Sequence, residues 1–159
     1  MKKRLIIAAF LFVLGMASAF AQPRAVGVRI GWGIEFSYQH TLGNNMLSVD
    51  AGLPAFNGIN AAVTYDWINP FNTKIPWNEK GEWNWSLGVG GAGGWYWGAN
   101  EAFVGVAGRV GVEYNFWFPL QLSIEWRPSF GPWFGHGNAG FYGGGLFAGG
   151  LAIGVRYKF

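Results

Sequence analysis

Ten ionisable side chains recur at alternating positions along the chain, and they are of residue types that can take part in acid–base chemistry or in ion transfer. Five are basic and five acidic: Arg29, Glu35, Asp50, Asp66, Arg109, Glu113, Glu125, Arg127, Arg156 and Lys158. Paired carboxylates such as Glu113 and Glu125 could act as acid and base, and a file of charges could carry protons or ions. Buried charges more commonly persist as hydrogen-bonded ion pairs. We expect the second role, with Arg109 bound to Glu125 or, after a small register change, Arg127 bound to Glu113.

Strands are the elements that must position these charges. Successive side chains of a strand point to opposite faces, so alternation separates an apolar face from a small, polar or charged one. Eight segments alternate in this way between turn signals: Ala25–Trp32, Ile34–His40, Met46–Leu53, Gly58–Trp67, Trp83–Trp97, Ala102–Phe116, Leu120–Arg127 and Phe141–Phe159. An even number of antiparallel strands can close without a free edge. The sequence therefore predicts an all-β fold, a transmembrane antiparallel up-and-down β-barrel of eight strands with its charges facing the lumen.

The connections and aromatic residues are consistent with a barrel that crosses a bilayer. Short connections at 42–45 and 115–119 are typical of one side, and the glycine-rich segment from Ser129 to Gly140 predicts a long loop on the other. The long connection Asn69–Gly81 departs from this pattern. Tryptophan and tyrosine favour the headgroup layer. Two girdles are expected, one of Tyr38, Tyr65, Trp67, Trp83, Trp85, Tyr114, Phe116, Tyr157 and Phe159, the other of Trp32, Trp95, Trp97, Trp126 and Phe130.

The first residues predict export. Lys2, Lys3 and Arg4 precede an apolar run and a small-residue pattern that ends at Ala21, which is typical of a cleaved signal peptide over residues 1–21. The barrel domain would then span residues 22–159. Loss of those three bases leaves eight basic and eight acidic residues. A near-neutral chain lacks the clustered basic surface that nucleic acid requires, so no nucleic-acid partner is expected.

The chain also resembles a known family. The exported start, the alternating segments, the paired girdles and the ending Val155-Arg156-Tyr157-Lys158-Phe159 are similar to small eight-stranded outer-membrane barrels, typified by outer-membrane protein X. The runs at 27–33, 37–40 and 105–115 are similar to small barrels of Bacteroidetes-type bacteria. The resemblance implies the outer membrane of a Gram-negative bacterium, with outer-membrane lipid around the barrel. It also implies that Tyr157 and Phe159 form part of the signal read by the barrel-assembly machinery.

Catalysis, metal binding and cofactor binding are not expected. Barrels of this kind that modify lipid A use histidine and serine, whereas here His136 has Ser129 seven residues away and His40 has no serine in a matching place. The chain has no cysteine, so a transition-metal site would lack ligands. We expect a monomeric, non-enzymatic barrel with a salt-bridged, plugged lumen and a structural or surface-interaction role. The alternatives are a narrow passage for small hydrophobic or amphiphilic molecules and a lipid A-modifying enzyme.

Overall fold

The computed structural model describes residues 23–71, 80–146 and 148–159, and the predicted signal peptide lies outside them. The described residues form ten strands and one short 3-10 turn at Ala148–Gly150. The strands are β1 (Pro23–Ile30), β2 (Gly33–Leu42), β3 (Asn45–Pro54), β4 (Gly58–Pro70), β5 (Glu82–Tyr96), β6 (Glu101–Asn115), β7 (Gln121–Trp126), β8 (Ser129–Gly135), β9 (Asn138–Gly144) and β10 (Leu151–Lys158). In this part of the chain, no helix has the length and apolar character needed to cross a membrane.

The sheet closes into a barrel of eight antiparallel wall strands. Strands β1 to β6 are each one wall strand, β7 and β8 together make the seventh, and β9 and β10 make the eighth. Closure occurs where β1 pairs with β10, from Ala25 opposite Lys158 to Ile30 opposite Ile153. The prediction of an all-β, eight-stranded antiparallel barrel is confirmed.

The seventh wall strand is broken at Pro128. Strand β7 pairs with residues 110–115 of β6, and β8 pairs with residues 101–107 of the same strand. Proline has no backbone N–H to donate to a ladder. Its carbonyl still accepts from the Gly108 amide at 2.9 Å, so the two halves of the wall strand stay in line.

The predicted long loop is wrong, and the predicted last strand is confirmed only over its final part, Leu151–Lys158. Residues 129–140 form β8 and the start of β9, joined by a turn at His136 and Gly137. Both turn residues have positive φ, 50° and 76°, as a two-residue hairpin turn requires. The continuous strand expected from Phe141 to Phe159 is interrupted between β9 and β10. Among the described residues, β9 pairs with β8 alone, so its other edge carries no strand.

Side chains alternate across the wall, with apolar residues outside and polar residues inside. In β7, Leu122, Ile124 and Trp126 are exposed while the residues between them are buried. Among the described residues the buried side chains include nineteen polar ones and six apolar ones, of which four are alanine. The interior of this barrel is therefore polar, the reverse of a soluble core.

Two ends of the barrel can be distinguished by their connections. The terminal end carries β1's start, β10's end and the β2–β3, β4–β5 and β6–β7 connections. The loop end carries the β1–β2, β3–β4, β5–β6 and β8–β9 connections. The expected connection from Asn69 to Gly81 is shorter than predicted because Asn69 and Pro70 pair with β5, and its residues 72–79 lie outside the described part.

Candidate functional site

Six charged side chains in the lumen form a closed ring in which arginines and carboxylates alternate, here called the ion-pair ring. Each member binds both of its neighbours. Round the ring, Arg29 binds Glu35 at 2.7 Å, Glu35 binds Arg127 at 2.5 Å, Arg127 binds Asp50 at 2.8 Å, Asp50 binds Arg109 at 2.7 Å, Arg109 binds Glu125 at 2.6 Å, and Glu125 binds Arg29 at 3.1 Å. The inward faces of β1, β2, β3, β6 and β7 supply five of these residues, and Arg127 follows β7 directly. The β1–β2 register places Arg29 opposite Glu35.

Each ring carboxylate has hydrogen bonds at both of its oxygens. Neutral side chains supply the donors that the arginines do not. Ser37 donates to Asp50 at 2.6 Å, Ser123 donates to Glu125 at 2.6 Å, and Asn60 donates to Glu35 at 2.9 Å. A buried ion pair offsets its desolvation only when the remaining lone pairs and N–H groups are satisfied. The ring carboxylates meet that condition, whereas Arg109 Nε is buried without a hydrogen-bond partner among the described residues.

Two further charges attach to the ring and leave it neutral. Arg156 Nη2 lies 2.6 Å from Glu125 Oε1, and its other nitrogens donate to Ser37 and Ser123. Asp66 Oδ2 lies 3.5 Å from Arg109 Nη1 and accepts from the Ser48 and Thr64 hydroxyls. Four arginines therefore face four carboxylates across the lumen.

A second cluster lies nearer the terminal end and is centred on Glu113. Arg24 binds both oxygens of Glu113. Amide side chains complete the cluster: Asn84, Asn115 and Gln121 donate to Glu113, at 3.2, 3.0 and 3.2 Å. The Arg24 guanidinium also donates to Gln39 at 2.8 Å.

The structure brings nine of the ten predicted residues into these two clusters, and Lys158 lies outside both. Lys158 is half-buried and its Nζ donates to the Phe116 carbonyl at 3.0 Å. Arg24, which sequence reasoning missed, supplies the fifth base of the two clusters and is half-buried. Simple alternation places Arg24 on the outer face with Val26, but the β1–β2 register shifts between Pro23 and Ala25. Such a bulge re-aims a side chain.

The two predicted partnerships have different outcomes. Arg109 and Glu125 are bound directly at 2.6 Å. Arg127 and Glu113 belong to different clusters, because Arg127 binds Glu35 and Asp50. The carboxylates of Glu113 and Glu125, considered above as an acid and base, are both bound by guanidinium groups.

A cavity of about 230 Å³ lies above the ion-pair ring, toward the loop end. Its floor includes three ring members, Arg29, Glu35 and Arg127. One wall is aromatic, and the rim is rich in glycine and borders both the β1–β2 turn and the break between β9 and β10. The aromatic residues are Tyr96, Phe103 and Tyr142, and the rim glycines are Gly31, Gly33, Gly144, Gly145, Gly149 and Gly150.

The histidines do not join a catalytic arrangement with Ser129. His136 lies in the β8–β9 turn, where its ring contacts the Ala99 carbonyl at 2.8 Å. Ser129 lies at the far end of β8, about 20 Å away at the rise of an extended strand. His40 lies in β2 beside the Tyr38 hydroxyl, at 3.2 Å. Within the described residues no group of three metal-ligating side chains is placed to hold an ion.

Comparisons with protein families, with curated proteins and with solved structures find no match for this chain. The class of protein is therefore defined by the structure itself. It is a closed eight-stranded antiparallel β-barrel with a buried salt-bridge network.

Proposed function

We propose that this chain is a non-enzymatic integral outer-membrane β-barrel with a plugged lumen and a structural or surface-interaction role. The observation that carries the proposal is the inversion of the barrel, with ion pairs inside and large apolar side chains outside. A barrel with this distribution gains stability when lipid covers its outer face.

The outer face supports the proposal by its extent. Exposed aliphatic and aromatic side chains lie side by side on adjacent strands, for example Ile34 on β2 at 45% exposed, Ile30 on β1 at 49% and Ile153 on β10 at 56%. Soluble monomers rarely leave contiguous apolar patches larger than a few hundred Å². In a membrane, lipid would cover this face. In water, the exposed face would favour aggregation of the protein.

Aromatic side chains toward the barrel ends support the same placement. At the terminal end, Tyr157 and Phe159 pack edge to face with centroids 5.1 Å apart, and Tyr114 packs on Phe116 at 4.5 Å. Tyr65 accepts a hydrogen bond from Asn45 while its ring stays exposed. Rings with a polar handle suit the boundary between acyl chains and headgroups.

The ion-pair ring supports the plugged lumen. Eight strands enclose a space that side chains can just fill, and here the ring spans it. An ion in transit would have to replace guanidinium–carboxylate bonds that are 2.5 to 3.1 Å long. The ring therefore favours a structural function over conduction.

Flotation with liposomes tests the membrane placement. We expect the refolded chain to float with vesicles, to resist extraction by alkaline carbonate, and to migrate differently on gels before and after heating. A folded barrel that stays in the aqueous fraction would contradict the proposal. A soluble protein passed through the same gradient is the control.

A second candidate function, a narrow passage for small amphiphilic molecules, is favoured by the free edge of β9 and the cavity beside it. Ion and dye flux from loaded vesicles separates the two. If the lumen is plugged, loaded vesicles that contain the barrel should leak no faster than loaded vesicles without protein. Flux of amphiphilic dyes with no flux of ions would favour the passage at the free edge.

A further inference from the structure

We propose that the cavity above the ion-pair ring is a binding site for a small aromatic carboxylate. The site combines a floor that donates hydrogen bonds with an aromatic wall and a narrow volume. It does not depend on the function proposed above.

The floor of the cavity has more hydrogen-bond donors than the ring can use. A guanidinium group has five N–H donors and no acceptor. Among the described residues, Arg127 donates from Nη1 to Asp50 and from Nη2 to Glu35, and Arg29 donates once from each of its nitrogens. Two positively charged side chains, Arg29 and Arg127, and one negatively charged side chain, Glu35, line the cavity. The floor therefore favours an anionic acceptor over a cation.

A carboxylate fits these donors better than a single-atom anion. Its two oxygens can accept parallel bonds from a guanidinium fork, which is the strongest arrangement of this kind. The cavity lining also offers one unpartnered acceptor, Asn60 Oδ1, which is buried and has no hydrogen-bond partner among the described residues. A hydroxyl or amide on the ligand could donate to it.

The wall selects an aromatic body for the ligand. Phe103 stacks on Tyr142 with centroids 4.4 Å apart, and Tyr96 stacks on Phe103 at 6.0 Å. The Tyr96 and Tyr142 hydroxyls are 3.2 Å apart, which holds the two rings together. A flat ring can add to this stack by offset or edge-to-face contact.

The volume limits the ligand to one ring and a small substituent. An apolar cavity of about 150 Å³ accommodates benzene. The cavity of about 230 Å³ leaves room for a carboxylate as well but not for a long acyl chain. The glycine rim provides the entrance, because residues of the outer face, Trp32 and Leu151, line the cavity together with residues of the lumen.

Fluorine NMR with matched probes tests the site. The full chain is refolded into zwitterionic lipid nanodiscs and titrated with 4-fluorobenzoate, 4-fluorobenzamide or 4-fluorobenzylamine, with empty nanodiscs as the baseline. We expect 4-fluorobenzoate to bind about tenfold more tightly than the amide, since a charge-assisted bond replaces a neutral one. The amine should bind no more than to empty nanodiscs. Binding of 4-fluorobenzylamine that is as tight as that of 4-fluorobenzoate, or tighter, would overturn the proposal.

Variants locate the binding. Tyr142→Leu removes one ring from the wall and should weaken binding of 4-fluorobenzoate about fivefold. Tyr142→Phe keeps the ring and should bind as the unmodified protein does. Tyr65→Leu makes the same change on the outer face and is the matched control. If Tyr142→Leu does not refold, Ala92→Leu, which fills the cavity from β5, takes its place. Unchanged binding in the refolded cavity variant would show that the probe binds elsewhere.

Discussion

Arg109 on β6 and Glu125 on β7 are diagonal neighbours across one strand pair, and their side chains meet at 2.6 Å inside the lumen. Glu125 lies opposite Gly111, two residues along from Arg109, and the glycine leaves space for the contact. Each residue also reaches across the barrel, Arg109 to Asp50 and Glu125 to Arg29. The pair therefore links a local strand contact to the whole ring.

A double-mutant cycle should detect this link. Removal of one partner leaves a buried charge, so Arg109→Met or Glu125→Leu alone should cost about 3 to 5 kcal/mol of unfolding free energy. The double variant should lose at least about 1 kcal/mol less than the sum of the single losses. Urea titration of the refolded barrels measures all four free energies.

The cycle of Arg127→Met with Glu113→Leu is its control, because those residues occupy separate clusters. Their losses should add. Additive losses in the Arg109 and Glu125 cycle would instead mean that the two charges are hydrated independently.

A charge on the outer face should be costly if lipid covers it. Val110 is exposed in the middle of β6. We expect Val110→Arg to reduce the unfolding free energy in bilayers by about 2 to 4 kcal/mol. Val110→Leu keeps an apolar surface at the same position and should have little effect. Equal free energies for the two variants would argue against a lipid-facing β6.

Glycine at position 88 should be required by the charge network. A Cβ added there would overlap Asp66 Oδ1. The other oxygen of this carboxylate, Oδ2, accepts a hydrogen bond from Ser48, which holds the side chain in place near the ring. Gly88→Ala should therefore cost about 1 to 3 kcal/mol, as overpacking does. On the same strand, a Cβ added at Gly91 would make only an ordinary contact, 3.7 Å from the Gly105 carbonyl oxygen. Gly91→Ala should therefore change stability by less than about 1 kcal/mol. Thermal or urea unfolding compares the two alanine variants.

Removal of the last residue should impair insertion in cells more than folding in vitro. Phe159 is 68% exposed and its amide donates to the Arg24 carbonyl at 3.2 Å. If Phe159 is part of an assembly signal, its deletion should lower the amount of heat-modifiable barrel in the outer membrane, while the purified variant refolds in detergent. Phe159→Tyr, which keeps the terminal ring, should insert normally. Normal insertion of the truncated chain would argue against the signal.

Alternation along the chain was sufficient to predict most of the wall and most of the residues that face inward. The period of two is set by strand geometry, so Glu125 and Arg156 could be placed inside without knowledge of the fold. Alternation failed where the backbone departs from regular pairing. Arg24 follows a bulge, and β8 was obscured by the glycines and the proline at 131, 132 and 135. The two-residue turn at His136 and Gly137 was the available signal for that hairpin.

The ring itself could not be predicted from the sequence. Its links join residues far apart in the chain, such as Arg127 with Glu35 and Glu125 with Arg29. Those contacts depend on how the sheet closes and how far its strands are staggered, which alternation does not specify. The position of the cavity could not be predicted either, because the cavity lies directly above the ring.

The membership of the ring has a mechanical consequence for the barrel. Its six residues come from β1, β2, β3 and β6 and from β7 with Arg127 directly after it, so the links between non-adjacent strands, such as Arg127 with Glu35, act as braces across the cross-section. No ring residue comes from β5, β8 or β9. The barrel should hold a fixed diameter at the level of the ring, while the loop-end part of the wall that bears the free edge of β9 should open more readily. Amide exchange would then be slow along β1 to β3 and fast along β9, and the barrel would be rigid at the level of the ring and compliant at the loop end.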